Sequence, residues 1–157
     1  MKTHVLVVLF ANLFLIFRLN VRLIPVPAWL LIGKSSLCLR ALIINSEGKS
    51  DPDFKKYNLN IKPNEIHTVI ANASLFIGDS QTMSAESGLL GTPFIRFNDF
   101  FGKITYLNDI ENKYKLGYGI KTDNEKALFD KVTEILEIKN VKEKWKLKSE
   151  LLFSDKM

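Results

Sequence analysis

The sequence is poor in the residues that build covalent and metal frameworks: one cysteine, Cys38, and two histidines, His4 and His67, among 157 residues. A lone thiol makes no intramolecular disulfide and points to a reducing, cytoplasmic compartment. Neither histidine has a second His or Cys at metal-ligand spacing, so no metal site is expected. Acidic residues are absent before Glu47, which leaves Lys2, Arg18, Arg22, Lys34 and Arg40 unopposed. From Glu47 onwards 17 basic residues face 17 acidic ones, so the net charge of +5 belongs entirely to the beginning of the chain. The body therefore carries no basic footprint for nucleic acid. The chain also lacks internal repeats, low-complexity tracts and hairpin turns between its apolar runs.

Two regions differ in composition. In residues 1–40 an apolar run, Val5 to Phe17, is broken only by Asn12 and flanked by Lys2 and Arg18. It falls short of the about 20 residues a membrane helix needs. It has the charged start and apolar middle of a signal peptide without a small-x-small cleavage site. Pro25 and Pro27 then argue against a helix interior or a central strand. Three readings stand open: a segment making peripheral membrane contact, a non-native leader from a displaced start or frame, and an ordinary buried strand–helix unit.

Residues 41–157 alternate regularly. Strands are expected at Ala41–Asn45, Leu75–Ile77, Pro93–Phe97 and Leu116–Ile120. A loop over Ser46–Pro52 and a short turn over Asp53–Tyr57 separate the first strand from a helix. That helix starts at Pro63 and carries Ile66, Val69, Ile70 and Ala73 on one face. Further helices are expected around Ile104, Leu107, Ile110 and Tyr114, then from Asn124 to Ile138. A last, Lys-rich helix over 140–153 is centred on Val141, Trp145, Leu147 and Leu151. This order predicts an α/β fold, a Rossmann-like three-layer domain with a parallel sheet and right-handed crossovers.

The chain is organised around Leu75-Phe76-Ile77-Gly78-Asp79-Ser80-Gln81-Thr82, continuing to Glu86 and Gly91-Thr92-Pro93. It reads as strand, tight turn, helix and stop. Gly78 is expected to take a positive φ at the turn, Asp79 or Ser80 to cap the helix, and Gly91 to end it in the left-handed region. A helix N-terminus opening off a strand's carboxyl end suits a phosphate or diphosphate. Ser80, Gln81 and Thr82 would line that mouth. Glu86, one turn further on the face of Thr82, could accept sugar hydroxyls. The plainer reading, a capped helix with Glu86 as a solvated acid, stays open beside it.

Asp79-Ser80-x-x-x-x-x-Glu86 followed by Leu89-Leu90-Gly91-Thr92-Pro93 resembles the nucleotide-binding segment of GT-B-fold enzymes, among them UDP-N-acetylglucosamine 2-epimerases and MurG-like glycosyltransferases. The longer run from Ile66 to Ala71, through Gly78–Met83 and on to Gly91–Arg96, is similar to the GT-B-like family catalogued as domain of unknown function 354. The resemblance covers about residues 43–138. It implies the C-terminal half of a GT-B fold, binding a nucleotide-diphosphate sugar, UDP-sugar first. Ser80 and the amides of Gln81 and Thr82 match the diphosphate contacts, and Glu86 matches the ribose-binding acid. The chain departs from the epimerases where they have two glycines, at Gln81 and Thr82, and in having Asn98–Lys103 in place of an Arg-rich loop. It further implies a truncated, half-enzyme chain that lacks an N-terminal domain and is not catalytic alone, with no catalytic residue assignable and no cofactor. A non-catalytic remnant or interaction domain, tethered to a membrane or not, is the alternative.

Outside that stretch, Arg96 or Lys103 could neutralise a diphosphate, or each could be an ordinary surface charge. Asp109 and Glu111 cannot face each other on a helix and make no acid/base pair. Phe97, Phe100 and Phe101 are read first as core and second as a pocket rim.

Overall fold

The computed structural model describes the backbone of residues 5–10 and 41–46, together with residues 62–100 and 102–156. Cys38, His4, Phe101, the Pro25–Pro27 segment and the turn expected at Asp53–Tyr57 lie outside the described residues.

Five strands form one sheet in the order β2-β1-β3-β4-β5. They are β1 (Val5–Phe10), β2 (Ala41–Ser46), β3 (Leu75–Gly78), β4 (Phe94–Phe97) and β5 (Gly117–Ile120). The last three run parallel, with Phe76 opposite Phe94 and Ile95 opposite Tyr118. The regular β/α alternation of residues 62–138 predicts this, since each parallel connection needs a crossover. The helices are α1 (Ile66–Asn72, after a single 3-10 turn at Pro63–Glu65), α2 (Gln81–Leu89), α3 (Thr105–Asn108, running into a π-turn at Asp109–Lys113), α4 (Glu125–Glu137) and α5 (Val141–Lys156).

The sheet is not parallel throughout. β1 is antiparallel to both β2 and β3, with Val7 opposite Ile44 on one side and Ile77 on the other. Val5–Phe10, the front of the apolar run that opens the chain, thus hydrogen-bonds between two strands. Strand direction on that side depends on the path of the intervening chain, which periodicity does not report.

Alternation within β3 and β4 divides the core in two. Phe76 and Phe94 point to one face, where Val69, Ile70, Ala85, Leu107, Leu116 and Trp145 pack. Leu75 and Ile95 point to the other, against Ile135 with Leu128, Val132 and Leu136 of α4 beside it. Both faces of these strands are apolar because helices cover both, giving an α/β, Rossmann-like arrangement of three layers. Among the described residues no helix is long and apolar enough to cross a membrane.

Tight contacts fix the sheet against its helices. Gly117 lies under the Phe94 ring so closely that a Cβ there would come within 2.4 Å of ring carbons. Gly91 has φ +72°, the left-handed stop expected from the sequence. Thr92 then closes the corner. Its hydroxyl donates to the Ile70 carbonyl at 2.8 Å, and its own carbonyl accepts from Ser87 Oγ at 3.1 Å. Gly78, by contrast, stays in β3 and is not among the positive-φ glycines. The turn out of β3 is made by Asp79 and Ser80 instead.

In α5 the buried stripe is Trp145, Ser149 and Leu152, while Leu147 and Leu151 are exposed. This corrects the expected centring on Leu147 and Leu151. The Trp145 Nε1–H donates to the Leu116 carbonyl at 2.6 Å and Ser149 Oγ donates to the Leu89 carbonyl at 2.6 Å, and these anchors set the helix rotation. Residues one turn on from Trp145 and Ser149 share their face, whereas Leu147 lies about 160° away from it.

Candidate functional site

The carboxyl ends of β3, β4 and β5 lie on one edge because the three strands are parallel. Side chains stitch the loops leaving that edge. Asn98, just after β4, donates from Nδ2 to the Asp79 carbonyl at 2.7 Å, and its backbone N–H donates to the Ile120 carbonyl at 3.1 Å. Asp99 Oδ1 accepts from both the hydroxyl and the backbone N–H of Thr122, after β5. The junction from β3 to α2 is therefore held from the β4 side.

α2 begins at this edge. Ser80 is its N-cap, in extended geometry, and its Oγ accepts from the Met83 N–H at 3.4 Å. Its carbonyl accepts the first intrahelical bond, from Ser84 N at 3.1 Å, and the Ser84 hydroxyl at 2.7 Å. The N–H groups of Gln81 and Thr82 are at the first two helical positions, which no carbonyl of the helix can reach. Ser80 and Gln81 are half-buried and Thr82 is exposed. Aligned peptide dipoles add a partial positive charge of roughly half an electron at such an end.

Glu86 follows Thr82 by four residues, on the same side of α2. Its side chain is 34% exposed, and Oε2 lies 3.0 Å from Nε2 of His67 in the first turn of α1. A carboxylate only accepts hydrogen bonds, so the His67 nitrogen is the donor.

The Arg96 side chain is wholly buried and faces the core layer of Phe94. Its Nε donates to Glu111 Oε1 at 2.9 Å, one terminal nitrogen to Glu111 Oε2 at 3.1 Å and the other to Asn98 Oδ1 at 3.1 Å. Its place is thus in the core, not among ligand-facing groups. Through Asn98 the guanidinium braces the loop that holds Asp79. Glu111 is the partner that sequence reasoning missed. The available signal was its position next to Ile110 and four residues after Leu107, which places it at the border of the buried face. Lys103, the other candidate cation, is exposed, with its ammonium 5.9 Å above the Phe100 ring. Phe100 is 51% exposed and Phe97, the last residue of β4, is half-buried, so Phe100 does not serve the core.

Beside the edge, the end of β5 and the start of α4 enclose a shallow depression of about 250 Å³ lined by Gly119, Ile120, Lys121, Asp123, Asn124 and Ala127. Asn124 Oδ1 caps α4 by accepting from the Ala127 N–H at 3.1 Å. The depression is smaller than the roughly 300–1,000 Å³ clefts that enclose a drug-sized ligand. Among the described residues no group of three or more His, Cys, Asp or Glu is placed to hold a metal ion.

On the far edge of the sheet, Lys142 directs its ammonium at the Thr92 hydroxyl. Burial, which disfavours the charged ammonium, pushes its pKa down to about 8.

No protein-family model, curated protein or solved structure matches the chain.

Proposed function

We propose that the chain is the nucleotide-diphosphate-sugar-binding half of a GT-B glycosyltransferase- or epimerase-like protein, with the catalytic base supplied from outside it. The observation that carries this reading is the α2 mouth at the carboxyl edge of the parallel strands. There a capped helix start meets an exposed Thr82 and, one turn on, a solvent-accessible carboxylate on the same side. In this reading the diphosphate bridges the Ser80 hydroxyl and the amides of Gln81 and Thr82, where helix-end charge favours an anion. The ribose lies along α2, its vicinal hydroxyls donating to Glu86. Lys103, the exposed cation of the two candidates, offsets the second phosphate charge; Arg96 serves indirectly, by bracing the loop through Asn98.

Calorimetric titration with UDP and UDP-N-acetylglucosamine tests the proposal. The expected result is saturable binding that Glu86→Ala weakens at least tenfold, the scale of hydrogen bonds to a charged group. A folded chain that binds neither compound, or binds both equally well after Glu86→Ala, refutes it and leaves the remnant or interaction-domain alternative.

A further inference from the structure

We infer that His67 is a positioning residue for ligand hydroxyls at Glu86, setting the selectivity of the site for a vicinal diol; the inference rests on the function proposed above. The observation is the contact between His67 Nε2 and Glu86 Oε2 at 3.0 Å, made across two helices by residues 19 apart in sequence.

The pair is poorly suited to a structural role. The side chains are 55% and 34% exposed, and exposed ion pairs or hydrogen bonds add little to stability. Its chemistry suits positioning. A glutamate on an exposed helix face samples three χ angles, and ordering it costs free energy when a ligand binds. His67 selects one orientation beforehand and so removes that cost from the binding step. The ring offers a single donor to the carboxylate, so it takes one direction on Oε2 and leaves Oε1 to accept from a ligand. A lysine or arginine could engage both oxygens and compete with the ligand. His67 lies at the start of α1 and approaches Glu86, in the second turn of α2, from that neighbouring helix.

The experiment titrates the full chain and its variants with UDP and with 2′,3′-dideoxy-UDP, which keeps the diphosphate and base but lacks the diol. The wild-type chain is expected to prefer UDP, and Glu86→Ala to abolish the preference. His67→Ala should cut the preference by about three- to tenfold, the scale of one side chain's ordering, while dideoxy-UDP affinity and the melting temperature stay unchanged. His67→Gln, which also presents an N–H donor on a side chain of similar reach, should restore most of it. If Glu86→Ala abolishes the preference and His67→Ala leaves it intact, the positioning role is overturned while the proposed function stands. Equal loss of affinity for both nucleotides in His67→Ala overturns it as well. A wild-type chain without preference or binding removes the proposed function, and the inference with it.

Discussion

Replacing Glu111 by Gln tests the core of this fold more severely than any other single change. Arg96 is wholly enclosed, and its charge is matched by one carboxylate through two hydrogen bonds of 2.9 and 3.1 Å. An amide of the same size leaves the guanidinium uncompensated and turns one acceptor into a donor facing an N–H. Breaking a buried pair from one side costs about 3–5 kcal/mol. For a chain of this size that is a fall in Tm of about 6–20 °C. The second expected effect is local. Arg96 also holds Asn98, whose amide holds the Asp79 carbonyl, so exchange protection should fall around Asp79–Thr82 before it falls in α4. The double variant Arg96→Met/Glu111→Leu removes both charges and should recover most of the loss, because desolvating the pair offsets much of what it gains. Urea denaturation of the three proteins, with hydrogen exchange on the first, decides the matter. A loss below about 1 kcal/mol for Glu111→Gln, or a double variant as unstable as the single, would refute the buried-pair account.

Gly117→Ala drives a Cβ into the Phe94 ring and should cost about 1–3 kcal/mol by chemical denaturation, with Phe94→Leu in the same chain restoring part of it. Gly91→Ala combines a φ of +72° with a Cβ 3.1 Å from the Lys146 backbone and should lose about 1–2 kcal/mol in the same assay. Trp145→Phe deletes the donor to the Leu116 carbonyl and should lower stability by about 1–3 kcal/mol, read from thermal melts. Lys142 titrates near pH 8 when folded and near 10.5 when unfolded, so the unfolded chain holds more protons between those values. Its contribution to stability therefore rises from pH 8 to 10.5 and is flat below. Lys142→Met should gain on the order of 1 kcal/mol at pH 7, discounted for partial exposure, and the gain should shrink by pH 10 in paired urea melts.

The parallel order of β3, β4 and β5, the cap at Ser80, the stop at Gly91 and the cap at Asn124 all follow from short stretches of sequence. The caps and the stop depend on neighbours within about five residues, a hydroxyl or amide before a helix and a glycine before Thr-Pro, and the parallel order on the alternation of such short elements. The mouth of α2 was visible for the same reason, since a helix start after a strand is a local pattern. Distant partners decided the rest. Arg96 reads as a cation near a strand end until Glu111, 15 residues later, folds under it and both leave the solvent. His67 reads as an isolated histidine until two helices set it beside Glu86. The rotation of α5 turns on the carbonyls of Leu89 and Leu116, and no period within 141–156 encodes where those carbonyls lie. Local pattern determines which elements form and where they stop; which charge is buried and which stays at the surface is settled by what the sheet brings together, because desolvation depends on everything packed around the group.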